Sequence, residues 1–114
     1  MNNCVFCRII AGELPCDKVF ESESVLAFKD ITPQAPFHAV FIPKNHDITS
    51  MDGITGANSA VVAEIFEAIA QVAREQGLSE GYRVVCNCGE HGGQTVGHLH
   101  FHLLGGKKLS LGMA

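Results

Sequence analysis

The chain has 114 residues, the length of one ordinary domain, so we expect a single domain over residues 1–114. Its formal net charge of −4 argues against nucleic acid as a partner, because nucleic-acid-binding surfaces are basic. The sequence begins without a secretion signal, and no apolar run is long enough to span a membrane, so we expect a soluble, cytoplasmic protein with no membrane partner. Five cysteines, an odd number, argue against a disulfide framework and favour a metal site or free thiols.

The first half of the chain predicts one short helix and three strands. Apolar residues at helical spacing between positions 4 and 10 predict a helix that Gly12 ends, which places Cys4 and Cys7 one turn apart. Short apolar runs predict strands at residues 19–21, 25–28 and 38–42. A loop at residues 30–36, stiffened by two prolines, separates the second strand from the third.

The second half predicts a long helix and two more strands. Over residues 57–76 a 3.6-residue period predicts a helix that Asn58 or Ser59 caps. Its predicted buried face is formed by Val62, Ile65, Phe66, Ile69 and Ala73. Strands are predicted at residues 82–86 and 98–104, with a glycine-bearing connection at 89–97. This order of elements predicts an α+β fold, a five-stranded antiparallel meander packed on the long helix.

Histidines alternate with apolar residues in the last predicted strand. A period of two places His98, His100 and His102 on one face of that strand. Along a straight strand His98 and His102 are about 13 Å apart, so one metal ion could take at most two of the three imidazoles. The row therefore indicates separate functional groups. The alternative is a half-polar strand whose histidines are solvated.

A neutral imidazole is a nucleophile at physiological pH, and phosphorus is a suitable target because a phosphohistidine intermediate divides one difficult displacement into two easier ones. Such a site needs donors for the phosphate oxygens. The segment just upstream offers backbone N–H groups at Gly92 and Gly93 and side-chain donors at Gln94 and Thr95. The alternative for this pair of glycines is a tight turn.

At His98 to Leu104 the sequence reads His-x-His-x-His followed by two apolar residues, and here the chain resembles the histidine triad family. Further segments resemble its Hint branch, at residues 30–38, 42–46, 81–85, 87, 92–96 and 105–106. The resemblance implies the histidine triad fold, with one long and one short helix, and a homodimer. It also implies hydrolysis of purine nucleoside phosphoramidates or related nucleotide conjugates.

By position in the family motif, the resemblance makes His100 the nucleophile, His102 a phosphate contact and His38 a proton-relay residue. It assigns Asp30 to the ribose hydroxyls, a role that suits a carboxylate; the alternative is a loop cap before Thr32. The phosphate pocket would be formed by Asn87, Gly93 and Thr95. The purine pocket would be walled by Val5, Phe6, Ile9, Phe28 and Ile31, for which the alternative is plain core packing.

The spacing Cys4-x-x-Cys7 resembles zinc-containing members of the family. There the further ligands are the histidines that correspond to His46 and His98, and two cysteines with two histidines form a sound structural zinc set. Catalysis by His100 would itself need no cofactor. The alternative is a pair of reduced thiols beside a solvated His46. By strand alternation Cys86 and Cys88 share a face and are interpreted as packing residues.

The C-terminal tail departs from the family pattern. After Gly106 the Hint branch commonly has a tryptophan and two prolines, whereas residues 107–114 contain neither. The leaving-group preference therefore does not follow from the resemblance. The glycine connection also carries His91, which we expect to be an exposed loop residue.

Two other functions compete with the phosphoramidase. One is a dinucleoside polyphosphate hydrolase of the fragile histidine triad type, which the short chain and the Hint-like flanks disfavour. The other is a zinc-stabilised, nucleotide-binding regulatory module with little turnover, which the intact set of His38, His100 and His102 disfavours. The expected homodimer draws support from Val61, Ala68 and Val72, apolar residues outside the predicted core face of the long helix.

Overall fold

The computed structural model describes residues 4–113 and contains two α-helices and five strands, as predicted. In chain order these are α1 (Val5–Ile10), β1 (Lys18–Glu21), β2 (Val25–Lys29), β3 (Phe37–Pro43), a 3₁₀ turn (Met51–Gly53), α2 (Ala60–Glu75), β4 (Tyr82–Val85) and β5 (Phe101–Gly105). The last strand therefore begins three residues later than the prediction of 98–104. The reason is that the backbone N–H of Leu99 donates to the carbonyl of Ile48, outside the sheet ladder.

All neighbouring strands pair antiparallel, in the order β1-β2-β3-β5-β4. The predicted five-stranded antiparallel sheet is confirmed, but the order of a simple meander holds only as far as β3. After β3 the chain passes through α2, so β4 forms at the far edge and β5 returns between β3 and β4. In this register His38 lies opposite Leu104, and Val40 lies opposite His102.

One face of the sheet is covered by α2, which forms the larger hydrophobic core. The helix buries Ile65, Ala68, Ile69, Val72 and Ala73 among the strands. Burying one large apolar side chain stabilises a fold by about 1.5–3 kcal/mol, so this face holds α2 on the sheet. The predicted buried face of α2 and its predicted N-terminal cap both differ from the structure.

Phe66, predicted to be in the core, is 50% exposed, whereas Ala68 and Val72, predicted to lie outside the core, are almost fully buried. The buried stripe is thus rotated around the helix axis from its predicted position. The predicted cap also differs, because Ser59 is the N-cap residue but its side chain makes no capping hydrogen bond. Asn58 instead accepts from the backbone N–H of Thr55.

The other face of the sheet carries a smaller cluster and the short helix α1. Phe6 of this helix packs with Leu26, Phe28, Val40 and Ile42. The ring of Phe6 also lies edge-on to His98 and His100, with centroid separations of 5.8 and 5.0 Å. The histidine row therefore lies on the α1 side of the sheet. Within residues 4–113 neither helix combines the length and the hydropathy needed to cross a bilayer.

Candidate active site

An open cavity of about 610 Å³ lies between α1, the end of β2 and the start of β5. All five predicted purine-wall residues line it, namely Val5, Phe6, Ile9, Phe28 and Ile31. Asp30, Thr95, His100 and His102 line the same cavity. The sequence did not indicate Leu14, Pro15, Cys16, Lys29, Val40 and Val96, which complete the lining. The cavity thus places an apolar pocket next to two of the motif histidines.

A backbone hydrogen bond determines which ring nitrogen of His100 is free. Its Nδ1 lies 2.8 Å from the carbonyl oxygen of His98. A carbonyl can only accept a hydrogen bond, so Nδ1 carries the proton and Nε2 keeps its lone pair. The side chain is 5% exposed, and its ring packs against Phe6. His100 therefore presents one lone-pair nitrogen, in one orientation, at the wall of the cavity.

His38 and His102 form a chain of hydrogen bonds that begins at a backbone amide. The N–H of Gln34 donates to Nδ1 of His38 over 3.0 Å, so that nitrogen is unprotonated. The proton of neutral His38 is then on Nε2, which lies 2.9 Å from Nδ1 of His102 and donates to it. The proton of His102 is consequently on its own Nε2. His102 is thus prepared as a donor at the cavity.

This series of hydrogen bonds could be predicted only in part from the sequence. The resemblance assigned His38 to a proton relay, but the contribution of Gln34 comes from its backbone and has no side-chain signature. One signal was available. The prolines on either side, Pro33 and Pro36, have no N–H, so Gln34 and Ala35 are the donors that this part of the loop can offer.

Burial keeps both histidines of the relay neutral. Desolvation lowers the pKa of His38, and the charge of Asp30 opposes this effect. Desolvation, followed by repulsion from His100 and His38, lowers the pKa of His102 to about 4, again against Asp30. At pH 7 each ring therefore has one proton-bearing and one lone-pair nitrogen, which is the state that a relay requires.

The same three residues lie close enough to hold a cation, since one ligand atom from each of Asp30, His38 and His102 falls within 4.8 Å of the others. A metal on Nε2 of His38 would leave that ring without a proton, because Nδ1 already accepts from the Gln34 amide. A neutral imidazole ligand must keep one N–H. The hydrogen bonds therefore favour proton transfer here over metal binding.

Asp30 serves two neighbours with its two oxygens. Oδ1 accepts from the backbone N–H of Thr32 at 2.8 Å, which is the loop cap considered as the alternative to ribose binding. Oδ2 lies 3.5 Å from Nε2 of His38 and 4.0 Å from Nδ1 of His102. Asp30 also lines the cavity, so it can cap the loop and still face a ligand bound there.

The glycine connection is braced by its own side chains. Asn87 donates from Nδ2 to the carbonyl of Gly92 at 2.8 Å. Gln94 accepts from the N–H of Gly89 and donates from Nε2 to the carbonyls of Thr49 and Val96. Both amide protons of Gln94 are therefore in use, and the predicted role of its side chain as a phosphate donor is corrected to that of a brace.

The remaining predicted phosphate contacts are placed differently from one another. Thr95 lines the cavity, whereas Asn87 and Gly93 do not. Gly93 has a φ of +79°, a conformation that favours glycine and forms part of the turn around which the connection is built. Direct binding of phosphate by Asn87 and Gly93 stays a prediction. His91 is exposed in this connection, as expected.

Cys4, Cys7, His46 and His98 converge beside α1. One ligand atom from each lies within 4.8 Å of the other three. Nδ1 of His98 is 3.0 Å from Nδ1 of His46, 3.4 Å from Sγ of Cys4 and 3.6 Å from Sγ of Cys7. Tetrahedral zinc sets such atoms about 3.3–3.8 Å apart. Both distances from His98 to sulfur fall in this range, whereas Nδ1 of His46 lies closer, at 3.0 Å from His98 and 3.0 Å from Sγ of Cys7. The cluster therefore gathers four donors of the kind that zinc prefers, at nearly tetrahedral spacing.

The protonation of His98 also suits a metal. Its Nε2 lies 2.8 Å from the carbonyl of Pro43 and must donate to it, so Nδ1 keeps the lone pair that faces the cluster. Burial, together with the adjacent Cys4, raises the pKa of the Cys7 thiol. Two thiols and two imidazoles crowded together are more stable when a cation neutralises the thiolates.

The chain is similar to known proteins over most of its length. A family model described as the C-terminal binding region of the scavenger mRNA decapping enzyme matches residues 3–114. An uncharacterised 13.2 kDa HIT-like protein of Azospirillum brasilense is 48% identical over 108 residues, which cover 94% of this chain and 88% of that protein. Adenylylsulfatase HINT1 of Arabidopsis thaliana is 41% identical over 112 residues, covering 93% of this chain and 73% of that protein.

Solved structures give the same result. A HIT family hydrolase from Clostridium thermocellum superposes with a TM-score of 0.96 at 44% identity, covering 100% of this chain and 99% of that one. A histidine triad protein from Clostridium difficile superposes with a TM-score of 0.94 at 43% identity, covering 99% and 98%. The histidine row, the fold and these relatives lead to one conclusion: the chain belongs to the histidine triad (HIT) family.

Proposed function

We propose that the chain is a nucleotide hydrolase that cleaves purine nucleoside phosphoramidates or related nucleotide conjugates through a nucleotidyl intermediate on His100. The observation that carries the proposal is the orientation of this ring, whose Nδ1 donates to the carbonyl of His98 and whose Nε2 lone pair remains free. A relative named as an adenylylsulfatase and a solved relative named as a hydrolase support hydrolysis of a nucleotide conjugate.

In the first step Nε2 of His100 attacks the α-phosphorus, so a nitrogen–phosphorus bond forms and the bond to the leaving amine breaks. The amine departs with that electron pair and takes a proton from a water molecule, which becomes hydroxide. His102, whose ring lines the cavity, donates a hydrogen bond from Nε2 to a phosphate oxygen. The positive charge on the modified His100 is held by the carbonyl of His98 at Nδ1. In the second step the hydroxide attacks phosphorus, the nitrogen–phosphorus bond breaks, and His100 leaves as a neutral imidazole.

The test is intact-mass analysis after brief exposure to adenosine 5′-phosphoramidate, together with steady-state turnover. We expect an adenylyl adduct on the wild-type protein and no turnover by His100→Ala, because that substitution removes the nucleophile. His91→Ala is the matched control, since His91 is exposed in the glycine connection and should leave both results unchanged. Wild-type turnover by His100→Ala without an adduct on the wild-type protein would overturn the mechanism.

A zinc ion held by Cys4, Cys7, His46 and His98 is a further part of the proposal. Its support is the donor set, since two cysteine sulfurs and two histidine nitrogens meet within 4.8 Å of one another, and Nδ1 of His98 carries a lone pair. With four protein ligands the ion would have no open position and would act structurally. The catalytic residues His38, His100 and His102 are outside this set and need no metal in the mechanism above.

We also propose a homodimer, which the family resemblance implies, although Ala68 and Val72 do not support it because they are buried within one chain. Different residues now support it. Phe66 is 50% exposed, and Tyr82 and Val84 of the edge strand β4 are 45% and 41% exposed. Val84 lies opposite Leu103, a residue of the α2 core, so this apolar surface lies on the α2 side. A second copy would cover it and pair with the open edge of β4.

A further inference from the structure

A second groove, of about 710 Å³, shares no lining residue with the apolar cavity and reaches His38 through Gln34 and Leu104. We call it the tail groove, because the chain after β5 forms much of it. Its lining consists of Gln34, Arg83, Leu104, Lys107, Lys108, Leu109, Ser110 and Leu111. The guanidinium of Arg83 donates to the carbonyl of Ser110 and so holds the tail against the edge strand.

The tail groove continues the face of the sheet that carries the catalytic histidines. Side chains alternate along β5, so His102 and Leu104 project to the same side, about 7 Å apart. Across the sheet Leu104 lies opposite His38 on β3 and opposite Arg83 on β4, which forms one row of neighbours. Gln34 belongs to both places, because its amide binds His38 and the residue lines the groove.

The charge of the tail groove differs from that of the rest of the molecule. The protein is acidic overall, with a net charge of −4. Four of its cations, Arg8, Lys18, Lys29 and Lys44, form ion pairs with nearby carboxylates. Across residues 4–113, by contrast, no carboxylate lies within 4.0 Å of Arg83, Lys107 or Lys108. Within the described part of the chain, three cations without carboxylate partners are thus gathered in one groove.

We propose that the tail groove binds the leaving group of the nucleotide conjugate and selects leaving groups that carry a negative charge, such as a carboxylate or a sulfate. This inference rests on the proposed hydrolase function. With the purine in the apolar cavity and phosphorus beside His100 and His102, a leaving group directed along the row from His102 to Leu104 would enter the tail groove. There Arg83, Lys107 and Lys108 attract an anion and repel a cation.

The test compares two substrates that differ only in charge, the adenosine 5′-phosphoramidates of β-alanine and of β-alaninamide. The first leaving group carries a carboxylate, and the second carries a neutral amide of nearly the same size. We expect the wild-type kcat/KM to favour the β-alanine conjugate roughly tenfold at low ionic strength, as three partly solvated charge contacts allow. Added salt should reduce this ratio, because exposed charges are screened.

The double variant Lys107→Gln/Lys108→Gln should bring the ratio of the two kcat/KM values close to one. Arg83→Gln should lower the ratio as well, through loss of its charge and of the bond that holds the tail. Arg74→Gln is the matched control, because Arg74 is an exposed cation near the end of α2 and does not line the tail groove. It should keep the wild-type ratio.

Binding to His100→Ala separates the tail groove from turnover. We expect the β-alanine conjugate to bind this protein with a lower Kd than the β-alaninamide conjugate. Equal Kd values and equal kcat/KM values for the two conjugates would contradict the proposed role of the tail groove, and the proposed hydrolase function would be unaffected. A retained difference in Kd without any turnover by the wild-type protein would overturn the hydrolase and support the tail groove.

Discussion

The chemistry of the site depends on which nitrogen of each histidine carries the proton, and backbone groups decide this. The tautomer of His38 is fixed by the Gln34 amide, that of His98 by the Pro43 carbonyl, and that of His100 by the His98 carbonyl. A backbone amide can only donate and a carbonyl can only accept, so these assignments do not depend on the rotamer of a partner side chain. Once the chain is folded, lone pairs point at the cavity from His100 and at the cysteines from His98.

At the residue scale we predict an acid limit to activity set by His102. Its pKa is lowered to about 4, so Nδ1 stays able to accept from His38 down to that region, and the loss of kcat/KM that His102 causes should appear only as the pH approaches 4. Asp30→Asn removes the charge that raises the pKa of both relay histidines, which should move the acid limb to lower pH. The measurement is a pH profile of kcat/KM.

The control for this profile is Asp52→Asn, which removes an exposed carboxylate on the 3₁₀ turn. It should leave the acid limb where it is in the wild-type protein. Asp30→Asn should in addition raise KM, since Asp30 lines the cavity. If the acid limb of Asp30→Asn moved to higher pH, the electrostatic assignment of the relay would be wrong.

The sequence predicted the side chains of the site much better than it predicted their connections. The motif predicted His100 and His102, the Cys-x-x-Cys spacing predicted that Cys4 and Cys7 converge, and the family resemblance added His46 and His98 to that cluster, because these are side-chain patterns. The contribution of Gln34 could not be predicted in this way, since the atom involved is common to every residue except proline. The side-chain amide of Gln94 suits a phosphate donor in the sequence, but its two N–H protons donate to the carbonyls of Thr49 and Val96 in the folded protein.

At the scale of elements, the sequence identified α2 but not its rotation. Apolar residues occur along this helix in adjacent groups, at 60–63, 65–66, 68–70 and 72–73. Neighbouring positions in a group point about 100° apart, so more than one face of the helix satisfies a 3.6-residue period. Packing on the sheet selected the face with Ala68 and Val72 and left Phe66 half exposed. The strand order was equally undetermined, because the pattern of β4 does not show which strand it will join.

We predict that the half-exposed apolar surface on the α2 side is the dimer interface. Phe66→Lys/Val84→Lys should convert a dimer to a monomer, because each lysine would place a charge in a contact that excludes water. The measurement is light scattering coupled to size-exclusion chromatography at micromolar concentration. Met51→Lys is the control, since Met51 is exposed to a similar extent, 42%, but belongs to the 3₁₀ turn. A monomeric wild-type protein would contradict the prediction.

For the whole molecule, the cluster of Cys4, Cys7, His46 and His98 joins segments that are distant in sequence. It connects α1 to the chain just after β3 and to the approach to β5. A zinc ion bound there would favour the folded state, because the unfolded chain seldom brings the four ligands together. The bulk of the apolar core lies on the opposite side of the sheet, so the ion would stabilise the side on which the core is smaller.

We predict about one zinc ion per chain in protein purified without a chelator, measured by elemental analysis. Cys4→Ala/Cys7→Ala should lose the metal and lower the Tm by about 10 °C or more, given the size of metal-linked stabilisation. Cys88→Ala is the control, because Cys88 lies outside the cluster and should keep both zinc and Tm. Metal-free wild-type protein whose Tm matches that of the double variant would show that the cluster is not a zinc site.

The position of β5 in the sheet also has a consequence for synthesis of the protein. β2 and β3 pair through a short connection, but β4 pairs only with β5, and β3 acquires its second neighbour only from β5. A nascent chain that has emerged as far as β4 therefore holds a sheet with an unfinished centre and an unattached fourth strand. When residues 101–105 emerge and insert, they close both ladders and carry His102 into place beside His38. The fifth strand therefore completes the sheet and the contact between His38 and His102 together.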